Sequence, residues 1–225
     1  MNDANLEKIV RKFIYDFFLK NERAPVLEEI MQKFKLQRHE AYQVLQDIEA
    51  AHNLVLVPGT QRILMTHPFS AIATPFEVSI GSKKYYANCA WDAVAFHVML
   101  SKDIRIDTFC HHCAEPIGIV LNKGNSKSNP PNPLVFLSVP AAKWWNNIVN
   151  TCSNNMVFFS SKDHLDEWLK ANPDLSGESL TVEKAVELSR PTYTGKMELD
   201  FERPSKDELM KRWAGIGFSG DFWKL

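Results

Sequence analysis

A cysteine and an aspartate three residues apart are the residues of this chain best suited to chemistry. Cys89 and Asp92 lie in the stretch from Tyr86 to Asp92, which predicts a strand end leading into a helix with Asn88 as its N-cap. Because free N–H groups and the helix dipole favour an anion in the first turn, we expect a thiol that ionises easily. The spacing puts both side chains on one helix face. The pair suits soft-metal capture with proton transfer, but an inert buried thiol beside a favourable helix-start acid fits equally well.

The other three cysteines carry a weaker signal. Cys110 and Cys113 form a Cys-x-x-Cys pair between two predicted strands, with His111 and His112 inside it. A closed zinc site usually has two ligand pairs at short spacing, so zinc at Cys110 and Cys113 is possible but not favoured. We expect a structural turn instead, with Cys113 the one of the pair buried near the active centre. Cys152 stands alone and fits either an inert buried thiol or a site residue at the end of an element.

Length and composition indicate a soluble protein with a sizeable core. The 225 residues are 45% hydrophobic, with 14 Phe and 6 Trp, and the formal net charge is −1. A general nucleic-acid-binding or membrane-binding surface is therefore not expected. No apolar run reaches the length of a membrane span, and the N-terminus lacks the pattern of a secretory signal. We expect a cytoplasmic location in which the thiols stay reduced.

The residue pattern of the N-terminal part, residues 1–67, predicts a winged-helix-like region. Apolar spacing and turn residues predict three helices and then a β-hairpin, at residues 5–20, 25–34 and 37–52 and at strands 54–57 and 62–65. This order is typical of DNA-binding regulators. Residues 1–60 hold eight Lys and Arg against nine Asp and Glu, however, so the cationic face that phosphate contacts need is not expected. A packing or dimerisation role is favoured over DNA binding.

The rest of the chain predicts a mixed-sheet α/β core over residues 76–190, which makes the whole chain α+β. Strands are predicted at 76–80, 84–86, 104–108, 117–121, 134–139 and 156–159, and helices at 89–101, 140–151, 164–170 and 180–188. Residues 122–133 are rich in Asn, Ser, Gly, Lys and Pro and predict an exposed loop. Residues 191–225 are expected to be a C-terminal extension packed on the core, with a short amphipathic piece at 207–213.

The segment around Cys89 resembles the Tyr-Ala-x-Cys-Ala-x-Asp segment of organomercurial (alkylmercury) lyases. The resemblance continues through residues 113–117, Cys152 ahead of Phe158 and Phe159, and residues 166–168 with Gly177 downstream. It covers residues 70–190, and the helical N-terminal region with its hairpin is also similar to that family. The resemblance implies a winged-helix-like part joined to a small mixed-sheet catalytic core.

The family resemblance implies protonolytic cleavage of a carbon–mercury bond, giving a hydrocarbon and Hg(II). It implies that Cys89, Asp92 and Cys152 are catalytic and that the same three residues hold the Hg(II) product. Ser153 is the alternative to Cys152, because the distance from Cys152 to the following Phe-Phe pair is one residue longer than in the best-known member of the family. No organic cofactor is implied. The implied partners are a small organomercurial substrate and either low-molecular-weight thiols or a mercuric reductase that accepts Hg(II).

The sequence leaves two further points open. An apolar pocket for the organic group could be lined by five aromatic residues, which fit ordinary core positions as well: Trp91, Phe96, Trp144, Phe158 and Phe159. A non-catalytic soft-metal sensor or carrier of the same fold is the alternative function, motivated by the Cys110 to Cys113 motif.

Overall fold

The computed structural model describes residues 3–123 and 125–225, with side chains from residue 5 onward. Met1 and Asn2 of the predicted N-terminal region and Gly124 of the predicted loop lie outside that description. The helices are α1 (Asp3–Asn21), α2 (Leu27–Phe34), α3 (Arg38–Ala50), α4 (Ala90–Leu100), α5 (Ile148–Asn155), α6 (Lys162–Ala171), α7 (Val182–Tyr193) and α8 (Lys206–Gly215). Short 3-10 helices cover Ala141–Asn147 and Asp221–Trp223. Among these described helices, none combines the length and apolar character needed to cross a membrane.

The strands form two antiparallel sheets, so the chain is α+β. They are β1 (Val55–Leu56), β2 (Ile63–Thr66), β3 (Phe69–Ser70), β4 (Glu77–Ile80), β5 (Lys83–Ala87), β6 (Ile104–Phe109), β7 (Pro116–Asn122), β8 (Asn125–Asn129), β9 (Leu134–Leu137), β10 (Met156–Phe159) and β11 (Glu178–Thr181). The larger sheet has the order β1-β2-β3-β5-β4-β6-β7-β8, and the smaller has the order β10-β9-β11.

The prediction of a mixed sheet was wrong, because all the strand pairs in the described residues are antiparallel. Short turns join most neighbouring strands, and a short turn can only reverse the chain. The two longer crossovers, α4 between β5 and β6 and α6 between β10 and β11, each skip one position in the sheet. The strands that they join run in the same direction but have an antiparallel strand between them.

The N-terminal helices fold as their apolar pattern predicts. Val10, Ile14 and Phe18 recur at a spacing of four and form the buried face of α1. At the start of α2, Glu29 reaches back to accept a hydrogen bond of 2.9 Å from the backbone N–H of Val26. The β1–β2 ladder that follows continues through β3 into the large sheet, so these strands extend the core sheet.

Helix α4 lies at the centre of the molecule. It contacts β4, β5, β6 and β7 of the large sheet, β9 and β10 of the small sheet, and α7. Nine of its eleven residues are buried, as expected for a helix that is apolar on all sides. Packing from every side holds its N-terminus in place, and that N-terminus carries Cys89 and Asp92.

One predicted element was wrong, and one predicted helix had the wrong bounds. Part of the predicted loop at 122–133 is strand β8, which pairs with β7; its sequence is entirely polar because it lies at the sheet edge, so it carries no hydrophobic alternation. Residues 180–188 were predicted as one helix, but β11 ends at Thr181 and α7 continues to Tyr193. This shift matters for function because it makes Tyr193 part of the helix that packs on α4.

Candidate active site

Cys89 itself is the N-cap of α4, in place of the predicted Asn88. Its backbone is extended, with φ −153° and ψ 176°, and its sulfur accepts a hydrogen bond of 3.2 Å from the N–H of Asp92. The side-chain amide of Asn88 points elsewhere: it donates to the carbonyl of Pro68 and to Asp92 Oδ2, both at 3.1 Å. The cap therefore ties the cysteine and the aspartate together directly.

Cys152 lies next to Cys89 although 63 positions separate them in the sequence. It sits on α5, which leads into β10 beside α4, and Cys152 and Cys89 line the same cleft. The side chains of Cys152, Asp92 and His67 place one sulfur, one oxygen and one nitrogen within 4.8 Å of one another. Ser153, the alternative third residue, is exposed. The structure thus brings together all three residues that the family resemblance implied.

Three side chains from separate parts of the chain hold the Asp92 carboxylate. His67 Nδ1 and Asn88 Nδ2 each lie 3.1 Å from Oδ2, and the Tyr193 hydroxyl donates to Oδ1. Burial by itself raises the pKa of Asp92, but His67 and the donated hydrogen bonds outweigh burial and lower that pKa below its ordinary value. The carboxylate is 1% exposed and is charged at neutral pH.

The pKa values of the two thiols are raised, whereas the pKa of Asp92 is lowered. Burial raises the pKa of Cys89 well above its ordinary value, and the adjacent Cys152 and Asp92 add to the effect. For Cys152, the hydrogen bond with Cys89 lowers the pKa, but burial and the Asp92 charge together leave it raised. The prediction that Cys89 ionises easily was therefore wrong: its N-cap hydrogen bond is outweighed by loss of water and by the nearby carboxylate. All four cysteines are free.

A partly enclosed cleft, with a cavity volume of about 70 Å³, opens beside these residues. Of the five predicted wall residues, Trp91 and Trp144 line it, whereas Phe96, Phe158 and Phe159 are fully buried core residues away from it. The other aromatic and apolar walls come from three separate parts of the chain: Trp145, Ile148, Met156, Tyr193, Phe201, Leu209, Trp213 and Leu225. The organic part of a ligand can therefore be held by aromatic surface while its reactive atom faces the thiols.

The C-terminal extension supplies cationic groups to the same cleft. Lys196 is 6% exposed, and its Nζ lies 5.0 Å from the Tyr193 ring centroid. Burial, aided by the charges of Arg203 and Arg11, lowers the pKa of Lys196 to about 7. The Arg203 guanidinium lies 5.0 Å from the Trp145 ring centroid. A buried amine and a guanidinium therefore lie among the aromatic walls of the cleft.

Four residues of the site were not predicted from the sequence: His67, Met156, Tyr193 and Lys196. Met156 lies beside the first thiol, with its sulfur 3.7 Å from Cys89 Sγ. None belongs to a motif, and each reaches the site by tertiary packing. The only local signal was that Met156 follows Cys152 by four residues, where α5 ends and β10 begins.

The Cys-x-x-Cys pair does not join this centre. Cys110 is buried and Cys113 is exposed, so the expectation that Cys113 is the buried member was wrong. The reason lies in the turn: Cys110 continues the inward register of β6, whereas Cys113 lies at the solvent side of the connection to β7.

Sequence comparison places the centre within a known family. The family model described as alkylmercury lyase matches residues 69–194, more than half of the chain. Alkylmercury lyases of Bacillus cereus and Clostridium butyricum are each 31% identical over 119 residues, covering 53% of this chain and 53% of theirs. That of Staphylococcus epidermidis is 28% identical over 119 residues. The chain spans about half the length of these curated relatives.

Structural comparison agrees at the level of the fold. The crystal structure described as the mercury-bound form of MerB2 superposes with a TM-score of 0.68 and 19% sequence identity, over 85% of this chain and 91% of that chain. The family match covers α4, the α5–β10 connection and α7, which carry Cys89, Asp92, Cys152 and Tyr193. This chain belongs to the alkylmercury lyase family.

Proposed function

We propose that this protein is an organomercurial lyase that cleaves a carbon–mercury bond by protonolysis, releasing a hydrocarbon and Hg(II). The observation that carries the proposal is the meeting of two buried thiols and a buried carboxylate at one end of an aromatic cleft. Thiolates are the ligands that a soft metal prefers, and a carboxylate of lowered pKa is a ready proton donor once it is protonated. Cys89, Cys152 and Asp92 are assigned the catalytic roles.

Capture begins with the neutral thiols. An organomercury cation arrives bound to a small thiol, and Cys89 displaces that thiol: the sulfur of Cys89 bonds to mercury, and its proton leaves with the displaced thiol. The raised pKa of Cys89 does not prevent this step, because metal binding strongly favours loss of the thiol proton. Keeping the thiol neutral before the substrate arrives protects a buried site from an unpaired charge.

Cleavage uses the second thiol and the carboxylate. Cys152 bonds to the same mercury and transfers its proton to Asp92, and the second sulfur raises the electron density on the metal. Protonated Asp92 then gives the proton to the carbon as the carbon–mercury bond breaks, and the bond electrons stay with the carbon. The products are a hydrocarbon and Hg(II) held by two thiolates, and Asp92 returns to its charged form. His67, Asn88 and Tyr193 keep the carboxylate in place during both transfers.

Release of Hg(II) requires another acceptor, because two protein thiolates hold the ion tightly. Small thiols or a mercuric reductase are the proposed acceptors in a cytoplasmic setting. The three N-terminal helices and the β1–β2 hairpin are proposed to be a winged-helix-like element that packs against the cleft without binding DNA. His52 and Asn53, which follow α3, line the cleft and support a packing role.

The reduced protein is tested with phenylmercury or methylmercury and excess small thiol, and benzene or methane is measured by gas chromatography. We expect Cys89→Ser and Cys152→Ser to abolish hydrocarbon release. Asp92→Asn should bind the substrate but lower turnover by roughly 100-fold or more, since positioned proton transfer contributes about 100- to 10,000-fold. The exposed residues Ser153 and Asp103 provide matched controls as Ser153→Ala and Asp103→Asn, which should keep full turnover.

The same assay separates the lyase from its rival, a non-catalytic soft-metal sensor or carrier. A carrier would bind one phenylmercury per chain and would release no more benzene than a control reaction that contains the small thiol without the protein. That result in the unmodified protein would refute the proposed activity. Full turnover in Cys152→Ser would instead refute only the assignment of the second thiol.

A further inference from the structure

We propose that Cys110, Cys113, His164 and Glu115 form a Zn(II) site that is separate from the proposed catalytic centre. The site belongs to the joint between the two sheets. It does not depend on the proposed lyase activity, because none of its four residues lines the catalytic cleft.

Three of the four residues lie in one tight turn. Residues 110–115 connect β6 to β7, and the turn is closed by two backbone hydrogen bonds of 2.8 Å, from Cys110 N–H to the Glu115 carbonyl and from Ala114 N–H to the Cys110 carbonyl. The N–H of His111 donates to the carbonyl of Phe158 at 2.8 Å, which fixes the turn against β10. The fourth residue, His164, comes from the first turn of α6, just beyond β10.

The separations between donor atoms fit one tetrahedral ion. His164 Nδ1 lies 3.6 Å from Cys110 Sγ and 3.5 Å from Cys113 Sγ. Zinc–sulfur bonds of about 2.3 Å and zinc–nitrogen bonds of about 2.0 Å, at tetrahedral angles, require a sulfur–nitrogen separation of about 3.5 Å. The donor atoms of Cys110, Cys113 and His164 all lie within 4.8 Å of one another. The Glu115 carboxylate is 3.6 Å from Cys113 Sγ and 3.8 Å from His164 Nδ1, and its side chain has to turn toward Cys110 to complete the site.

A backbone N–H group already faces the Cys110 sulfur. The N–H of Ser160 donates a hydrogen bond of 3.4 Å to it. A donated hydrogen bond favours the thiolate form of a cysteine, and the thiolate is the form that ligates a metal.

The His164 ring is also oriented toward the sulfurs. Ser160 Oγ lies 2.6 Å from Nδ1 and holds that nitrogen on the side of the two cysteines. A bound ion would replace this hydrogen bond. Two thiolates, an imidazole and a carboxylate are a donor set that Zn(II) takes readily, whereas a site for a softer ion would not need the last two.

The site lies well away from the proposed reaction. Cys89 contacts Met156 at the start of β10, and Cys110 contacts Ser160 just after its end. Four residues of extended strand cover about 13 Å. A zinc ion there would join the β6–β7 hairpin of the large sheet to α6 and β10 of the small sheet, and would act as a structural link.

The test uses the full chain, purified with a reductant, stripped of metal with a chelator and titrated with Zn(II) against a chromophoric indicator. We expect about one Zn(II) per chain, and with Co(II) as the probe a thiolate-to-metal absorption band in the near ultraviolet. Cys110→Ser and His164→Ala should weaken binding by 100-fold or more, since loss of even an outer-shell partner costs about 10- to 100-fold. Cys89→Ser and Cys152→Ser are the matched controls and should keep the zinc.

Cys113→Ser guards against misfolding, because Cys113 is exposed and its change disturbs no core packing. We expect it to keep the circular dichroism spectrum of the metal-free protein and to lose the rise in melting temperature that Zn(II) gives the unmodified chain. The proposal is overturned if the unmodified chain binds no Zn(II) at micromolar concentration. It is also overturned if Cys110→Ser and His164→Ala retain the ion, or if Cys89→Ser and Cys152→Ser lose it.

Discussion

Removing the Tyr193 hydroxyl tests how the carboxylate at the centre is held. In Tyr193→Phe, Asp92 keeps two of its three side-chain donors, His67 and Asn88, and loses the hydroxyl that donates to Oδ1. A hydrogen bond to a charged group contributes about 1.5–3 kcal/mol, and a neutral one about 0.5–1.5 kcal/mol. Both partners are buried, so water cannot replace the lost donor. We expect the substitution to lower the free energy of unfolding by about 2–3 kcal/mol at pH 7.

A double-mutant cycle with Asp92→Asn isolates the charge. An asparagine oxygen still accepts from Tyr193, but without a charge, so Tyr193→Phe should cost only about 1 kcal/mol in that background. The expected coupling is therefore about 1–2 kcal/mol. The Asp92 pKa is lowered on folding, so its contribution is complete above the unfolded pKa of about 3.8 and disappears as the pH falls through the lower folded value. Measurement at pH 7 thus captures all of it.

Urea unfolding of the four proteins gives the cycle, provided that the slope against urea stays constant. Tyr15→Phe is the matched control: this hydroxyl is also buried but donates to the His67 carbonyl at 3.0 Å. Its cost should be the same, within about 0.5 kcal/mol, in the unmodified and the Asp92→Asn backgrounds. If Tyr193→Phe proves equally additive with Asp92→Asn, the Tyr193 hydroxyl does not stabilise a charged Asp92 and the reasoning fails.

Two further predictions concern stability. The pKa of Lys196 falls from 10.5 to about 7 on burial, so the folded state binds fewer protons than the unfolded state between these pH values. The free energy of unfolding should therefore rise with pH in this range, by at most about 1.4 kcal/mol per pH unit. Lys196→Met should flatten the rise measured by urea unfolding at pH 7.5 and pH 9, and an unchanged rise would contradict the prediction. A Cβ on Gly177 would lie 2.1 Å from the Leu137 carbonyl oxygen, whereas one on Gly215 would meet nothing within 4 Å. Gly177→Ala should therefore lower the melting temperature by an amount equivalent to about 3 kcal/mol or more, and Gly215→Ala should change it by under about 0.5 kcal/mol; equal melting temperatures would refute the predicted clash.

Much of the local structure could be predicted from the sequence, because it depends on neighbours along the chain. The apolar spacing of α1, the Pro58-Gly59 turn between β1 and β2, and the apolar run of α4 each act over a few residues. The polar strand β8 could not be predicted, because it is held by backbone pairing with β7 and its side chains show no apolar alternation. The sheet direction also could not, since it depends on which strands become neighbours.

The sequence by itself determined the Cys89–Asp92 pair, because a spacing of three residues puts both side chains on one face at the start of a helix. The family resemblance pointed to Cys152. Only the tertiary structure decided that Cys152 reaches Cys89 and that Tyr193 reaches the carboxylate. It also reversed the expected ionisation of Cys89, because a pKa depends on burial and on charges distant in the chain. The sequence also could not show that His164 joins Cys110 and Cys113, because His164 is 54 positions from Cys110 and reaches it only where the two sheets meet.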